Sequence, residues 1–118
     1  MQIRKKQLTF LSEQQEISYE QRLTSFLQSQ FADAQAQPVD QLRPEVSAQI
    51  KKARSYQILT EQDIAVYVIT AFLLGENFDS QFPAASDVLT AQIPGEMKSR
   101  FLEDWTEEIF VELEGVIH

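Results

Sequence analysis

Cysteine is absent from this chain of 118 residues, and the single histidine is the last residue, His118. Without cysteine, neither a disulfide nor thiolate chemistry is possible. Zinc is held mainly by cysteine and histidine side chains, so a zinc site is not expected either. The sequence also lacks a nucleophile with a base, a metal-ligand set and a phosphate loop. We therefore expect a non-enzymatic protein with no catalytic residues, no cofactor and no bound metal.

Basic residues are few. The chain has 10 Lys and Arg against 18 Asp and Glu, which gives a formal net charge of -8. Phosphate binding needs a positive surface, so nucleic acid is not an expected partner. This charge is typical of a cytoplasmic protein in free solution or of a protein whose partner is basic.

Long apolar runs are also lacking. The longest, Ile64 to Leu74, has 11 residues and is broken by Thr70, whereas a helix that crosses a bilayer needs about 20. Residues 1–15 begin with bases but contain no apolar core like that of a secretion signal. We expect no membrane insertion and no export by the general route, and we interpret residues 1–8 as a flexible N-terminus.

Apolar residues recur along most of this sequence at the spacing of an α-helix. Alternating strand patterns and internal repeats are absent, and the 3 glycines and 4 prolines stand where helices should end. The sequence predicts an all-α single domain over residues 1–118, a bundle of about four to five helices around a buried central helix. Apolar stripes of the first two helices recur at three- and four-residue steps: Tyr19, Leu23, Phe26, Leu27 and Phe31, then Leu42, Val46, Ile50 and Ala53.

The segment TEQDIAVYVITAFLLGENFD, residues 60–79, predicts the central helix. A helix that is apolar on every side must be buried on every side. Thr60 and Asp63 have the spacing of a capping box, with Asp in place of Glu or Gln. Gly75 stands where a left-handed C-cap belongs.

The boundaries of the other helices follow from residues that cap helices and from prolines and glycines that end them. We predict a first helix over 12–31, capped by Ser12, and a loop over 32–38. A second helix runs from 39 or 40 to 56; Pro44 requires either a start near Gln41 or a kink. A short helix over 84–91 precedes a last helix that opens at Pro94-Gly95. The predicted buried stripe of the last helix is Met97, Phe101, Leu102, Trp105, Ile109 and Leu113.

The sequence GENFD, from Gly75 to Asp79, has two interpretations. In the first, Gly75 ends a helix, Phe78 anchors the loop and Asp79 caps the next turn. In the second, Phe78, Asp79 and Phe82 form a partner-binding surface, and Phe78→Ala weakens a complex without changing thermal stability. Glu76, Asn77 and Asp79 lack the spacing and length of a calcium loop.

The last helix carries an acidic face on the side opposite its apolar stripe: Glu103, Asp104, Glu107, Glu108, Glu112 and Glu114. Like charges four residues apart destabilise a helix by about 0.2–0.5 kcal/mol per pair. Acids near the C-terminus also oppose the helix dipole. The face is either a solvated, solubilising surface or a docking site for a basic partner.

Four segments in a fixed order carry a resemblance to a known family. They are an F…RL…L…F pattern between Phe10 and Phe31, KARSYQI at 52–58, LTEQDIAVYV at 59–68 and FLLGENFD at 72–79, with a proline and Val88-Leu89 downstream. From about residue 8 to 103 the chain resembles small proteins encoded beside effector genes in bacterial type VI secretion clusters. It departs from the family pattern at Gln57, where glycine is expected, and at Ala84-Ala85, where a tryptophan often follows the proline.

The resemblance implies a non-enzymatic accessory role, best described as a co-chaperone that helps an adaptor chaperone hold an effector before export. Its protein partners would be the effector, the adaptor or both. The expected partner-binding residues lie in the loop after the central helix and on the acidic face: Phe78, Asp79, Phe82, Glu103, Asp104, Glu107 and Glu108. The alternative is an immunity protein that neutralises a basic toxin domain. The sequence favours no particular oligomeric state.

Overall fold

The structure is a computed structural model that describes residues 16–117, with side-chain environments from Tyr19 to Phe110. In this part the chain forms seven helices and no strand, which confirms the predicted all-α fold. They are α1 (Glu16–Gln30), α2 (Ala32–Gln35), α3 (Val39–Ser55), α4 (Glu61–Leu74), α5 (Phe78–Gln81), α6 (Pro83–Thr90) and α7 (Gly95–Ile117). None of the described helices has the length and apolarity needed to cross a membrane.

Helix α4 is the centre of the fold, as predicted. Every residue from Ile64 to Ala71 is buried, and α4 packs against both α3 and α7. Thr60 caps the helix by accepting a hydrogen bond from the Asp63 amide at 3.1 Å. Inside it, the Thr70 hydroxyl donates to the Val66 carbonyl at 2.8 Å, so this buried hydroxyl is satisfied.

Helix α4 ends at Gly75, whose φ of 116° confirms that this position needs glycine. Its ψ of 151° lies outside the left-handed helical region, so the predicted left-handed C-cap is wrong in this detail. The backbone leaves the helix in an extended direction and turns at once into the loop before α5.

The apolar stripes of α1 and α3 lie in the core as predicted, with Leu23, Leu27, Leu42, Val46 and Ile50 all buried. Phe26 and Phe31 are half-buried beside them. The Ser12 cap and residues 1–15 lie outside the described residues.

One detail of this half of the fold differs from the prediction. The predicted loop over 32–38 contains the one-turn helix α2, which buries Ala34 completely. Helix α3 begins at Val39, one of the two predicted starts, and continues through Pro44. The Gln41 and Leu42 amides already donate to the Pro38 carbonyl at 3.0 Å, so the first turn forms before proline removes one donor.

The C-terminus of α3 is a Schellman motif with glutamine at the position that usually needs glycine. The Ile58 amide donates to the Ala53 carbonyl and the Gln57 amide to the Arg54 carbonyl, both at 3.0 Å. Gln57 has a φ of 66°, the left-handed conformation. The turn therefore forms at the cost of backbone strain in a non-glycine residue.

Helix α7 starts directly against this turn. A Cβ on Gly95 would overlap the Gln57 carbonyl oxygen and lie 3.0 Å from the Ile58 Cα. The Lys98 ammonium donates to the Tyr56 carbonyl at 2.9 Å and to the Leu89 carbonyl at 2.7 Å. The ends of α3 and α6 are thus fastened to the first turn of α7.

The buried face of α7 differs from the predicted stripe. Met97 is 54% exposed, whereas Lys98, Ser99, Leu102 and Thr106 are buried. The contact of Lys98 with two carbonyls of neighbouring elements draws this side of the helix inwards. Of the predicted stripe, Leu102 is buried, Phe101, Trp105 and Ile109 are half-buried, and the Leu113 side chain lies outside the described part.

We expect Gln57→Gly to raise the free energy of unfolding by about 0.5–1 kcal/mol. Glycine removes a left-handed penalty of about 1–2 kcal/mol, and its greater unfolded-state entropy offsets part of that gain. Urea unfolding measures the change. Gln62→Gly, at an exposed position within α4, is the control and should destabilise by about 0.5–1 kcal/mol. A loss of stability in Gln57→Gly would contradict the assignment of strain to this residue.

We expect Gly95→Ala to lower the free energy of unfolding by about 1–3 kcal/mol, because the added methyl group meets backbone atoms that cannot rotate away. Thermal unfolding followed by circular dichroism measures the loss. Glu96→Ala changes the adjacent exposed residue and should have an effect below about 0.5 kcal/mol. Equal stability of the two variants would show that α7 does not approach the α3 turn this closely.

Candidate functional site

Asp79 is a nearly buried acid with a hydrogen-bond donor at each of its carboxylate oxygens. It lies in the first turn of α5 and is 7% exposed. Its Oδ1 accepts a hydrogen bond from the Lys52 ammonium at 3.1 Å, and its Oδ2 accepts one from the Tyr56 hydroxyl at 2.7 Å. Lys52 and Tyr56 are four residues apart at the end of α3, so their side chains reach the same carboxylate.

The same ammonium holds the loop between α4 and α5. Lys52 donates to the Glu76 carbonyl at 2.9 Å and to the Asn77 side-chain oxygen at 3.4 Å. The Gln49 amide group adds a bond to the Glu76 carbonyl at 3.2 Å. The oxygen atoms of GENFD therefore surround a lysine ammonium. In the described part, no three acidic or histidine side chains gather in a geometry that could hold a metal ion.

We define the Asp79 cluster as Asp79, Lys52, Tyr56 and Tyr67; the pKa values of its aspartate and its two tyrosines are shifted. Burial raises the pKa of the Asp79 carboxyl, but the hydrogen bonds from Tyr56 and Lys52 and the lysine charge outweigh it, so the pKa lies below 3.8. Burial, the hydrogen bond to Asp79 and the carboxylate charge raise the pKa of Tyr56 to about 12. Burial, then the charges of Asp79 and Tyr56, raise the pKa of Tyr67 above 10.0.

A chain of aromatic rings continues from this cluster to α7. Tyr67 packs against Phe78 with ring centroids 5.0 Å apart, and Phe78 lies 6.5 Å from Trp105. Trp105 also stacks on Phe101 at 5.8 Å and receives Phe82 edge-on at 5.3 Å. Tyr67 is fully buried, and its hydroxyl has no hydrogen-bond partner among the described residues.

This arrangement corrects the expected partner-binding loop. Phe78 is fully buried and Asp79 nearly so, which places both side chains out of reach of a partner. Phe82 is half-buried against Trp105. Truncation of a fully buried phenylalanine costs about 3–5 kcal/mol, so Phe78→Ala would disrupt folding and cannot probe a surface. The anchoring interpretation of GENFD is the one that the contacts favour.

The acidic face of α7, defined from here on as Glu103, Asp104, Glu107 and Glu108, is fully on the surface: all four side chains are exposed. The described part shows no ion pair to any of them. Two bases occur on α7: Lys98 is turned into the core, and Arg100 lies 3.6 Å from Glu96. The side chains of Glu112 and Glu114 lie outside the described part. The expected exposure is confirmed, and its use in binding stays a prediction.

Comparisons of the chain with protein-family models, with curated protein sequences and with solved structures find no match. The resemblance to type VI secretion accessory proteins therefore stays a prediction from the sequence motifs.

Sequence reasoning missed Lys52 and Lys98 as organising residues. Lys52 stands among the bases Lys51, Lys52 and Arg54 near the end of α3, and nothing in that group indicates Asp79 as its partner. The sequence feature that indicates a shared partner is the four-residue spacing from Lys52 to Tyr56, which places both side chains on one face of the helix. Lys98 gave no signal, because its partners are backbone carbonyls, which carry no sequence information.

We expect Asp79→Asn to lower the free energy of unfolding at pH 7 by about 1–3 kcal/mol, because hydrogen bonds to a charged group are lost. The folded-state pKa of Asp79 is depressed. Its contribution is therefore complete above the unfolded value near 3.8 and is lost as the pH falls through the folded value. The difference in the free energy of unfolding between the wild type and Asp79→Asn should therefore shrink from about pH 5 to about pH 2, as measured by urea unfolding.

The matched control is Asp87→Asn, an exposed aspartate on α6. Its stability should stay within about 0.5 kcal/mol of the wild type at every pH. If the difference in unfolding free energy between the wild type and Asp79→Asn does not change with pH, Asp79 is not a charged, hydrogen-bonded carboxylate in the folded protein.

Proposed function

We propose that this protein is a non-enzymatic accessory protein that binds a basic protein partner through the acidic face of α7. Within the resemblance to type VI secretion proteins, its role is that of a co-chaperone in effector loading. It would bind the effector, its adaptor chaperone or both.

The observation that carries the proposal is the acidic face itself. Glu103 and Glu107, and Asp104 and Glu108, are exposed like-charge pairs at i,i+4. Each pair destabilises the helix by about 0.2–0.5 kcal/mol. None of the four carboxylates forms an ion pair in the described part, whereas a partner with lysines or arginines at matching positions would pair with them. Complementary charge of this kind accelerates association and selects the partner.

The Asp79 cluster supports a non-enzymatic role. Shifted pKa values often mark active sites, but structural ion pairs shift them too. Here the Asp79 carboxylate is hydrogen-bonded to Lys52 and Tyr56, and both lie in the same helix end that it fastens. The cluster holds the loop after α4 in place and leaves the Asp79 side chain 9% exposed.

We expect the double variant Glu107→Lys with Glu108→Lys to bind its partner about tenfold more weakly or worse, because two attractive contacts become repulsive. Its stability should be unchanged or slightly higher, since each new lysine lies four residues after an acid. The measurement is affinity capture with the tagged protein from the cells that encode it, identification by mass spectrometry, and titration calorimetry with the recovered partner.

The control variant is Asp33→Lys with Asp87→Lys, which changes the net charge equally at exposed positions outside α7. It should capture the same partner as the wild type. Recovery of an adaptor with a full-length effector supports the co-chaperone role. A toxin domain recovered alone, with rescue of cells from that toxin, would identify an immunity protein. Equal capture by the acidic-face variant would exclude the face as the docking surface.

A further inference from the structure

An apolar row lies on the surface of α7 and continues onto the junction of α5 and α6. We define it as Met97, Phe101, Trp105 and Phe82. Met97 is 54% exposed, and the three aromatic side chains are half-buried. Met97 and Phe101 are four residues apart, so they are neighbours on the helix surface. Phe101 stacks on Trp105 at 5.8 Å and Phe82 meets Trp105 edge-on at 5.3 Å, which makes the row continuous.

The residue types of the apolar row are those of an interaction surface. Tryptophan, phenylalanine and methionine are enriched in protein–protein interfaces, and tryptophan is among the residues that contribute most binding energy there. Single exposed apolar residues need no explanation, but a contiguous apolar group with a polar rim is typical of a contact site. The row contains the only tryptophan of the chain and one of its 2 methionines. Its composition therefore points to a protein partner.

Two of the four acids of the acidic face border this row. Successive residues of an α-helix are about 100° apart around its axis, so Asp104 and Glu108 lie within about 60° of Phe101, the middle of the row. Glu103 and Glu107 lie about 120–160° from Phe101, towards the other edge of the exposed surface. All four acids are exposed, and none forms an ion pair in the described part. Only one half of the acidic face is thus a rim of the apolar row.

The negative rim selects the occupant. A two-fold dimer through the row would bring the same carboxylates of both copies into one interface, where they repel each other. Anionic lipid headgroups and nucleic-acid phosphates are repelled in the same way. A basic protein segment is attracted. Arginine suits both parts of this surface, because its guanidinium group pairs with carboxylates and also stacks on aromatic rings.

We propose that the apolar row, with Asp104 and Glu108 at its rim, is the docking site for an apolar segment of the protein partner that carries arginine. Apolar side chains of that segment pack on Met97 and Phe101, and an arginine lies against Trp105 and the two carboxylates. The inference rests on the proposed function, that α7 binds a basic protein partner. It adds which half of the acidic face takes part and which apolar contacts accompany it.

The full-length protein carries its own reporters for the test. Trp105 gives the single indole N–H signal, and Met97 gives one of 2 methionine methyl signals in NMR spectra. The probe is a tetrapeptide, capped at both ends, with two leucines between two arginines. Its counterpart carries citrulline, which has the shape of arginine without the charge. We expect the arginine peptide to shift both signals and the citrulline peptide to bind about tenfold more weakly or worse. No shift with the arginine peptide, or equal affinity of the two peptides, would overturn the proposal.

Two double variants of α7 separate the halves of the acidic face. Asp104→Lys with Glu108→Lys should weaken binding of the arginine peptide about tenfold. Glu103→Lys with Glu107→Lys changes the net charge equally, on the same helix and at the same spacing. Its affinity should stay within about twofold of the wild type at about 0.15 M salt, where charges are screened over about 8 Å. Equal weakening in both variants, or greater weakening in the second, would contradict a site at the row.

The apolar part of the site has its own test. Met97→Gln replaces an exposed apolar side chain of the row and should weaken binding of the arginine peptide about fivefold, because apolar burial is lost. The control Leu59→Gln changes an apolar side chain that is 66% exposed and lies outside the row, and it should bind like the wild type. Neither side chain is in the core, so both variants should unfold at the wild-type temperature. Unchanged affinity of Met97→Gln, or an equal loss in Leu59→Gln, would show that the row is not the contact surface.

Other outcomes separate this inference from the proposed function. If sedimentation shows a dimer that Met97→Gln dissociates, a second copy covers the row and the inference is wrong. If the Asp104→Lys, Glu108→Lys variant captures the cellular partner and the Glu103→Lys, Glu107→Lys variant does not, the acidic face binds without the row, and only the inference fails. If the peptide binds as expected but the wild type captures no basic partner from cells, the proposed function fails and the row remains a binding surface for arginine-bearing peptides.

Discussion

A helix without a polar face imposes the main constraint on this fold. Helix α4 is buried continuously from Ile64 to Ala71, so it must be covered on all sides. Helices α3 and α7 pack directly against it, and the Tyr19 hydroxyl of α1 donates to its first turn, at the Glu61 carbonyl, at 2.7 Å. The apolar stripes of the surrounding helices cover α4. Burial of apolar surface is the dominant stabilising term in folding.

Burial of apolar surface is not directional, so it does not by itself fix where each helix ends. Specific polar contacts do that here. Lys98 joins the ends of α3 and α6 to the start of α7, and Lys52 with Tyr56 joins α3 to α5 through Asp79. The strained turn at Gln57 lies between the two sets of contacts, against Gly95. Helix-end contacts therefore determine the relative positions of the elements around α4.

The same contacts determine the surface charge. Two of the 10 bases, Lys52 and Lys98, are used inside the fold to bind carbonyls and one carboxylate. Glu103, Asp104, Glu107 and Glu108 have no such use and are exposed. The acidic face of α7 therefore presents its carboxylates to solvent.

The sequence by itself determined the all-α class, the central position of α4, its Thr60 cap, the glycine at position 75 and the core stripes of α1 and α3, because helical periodicity and capping are local properties of the chain. Tertiary structure decided the rest. Whether Phe78 and Asp79 face a partner or the core depends on Lys52, 27 residues from Asp79. The face of α7 that is buried depends on backbone carbonyls of α3 and α6, which have no signature in the sequence.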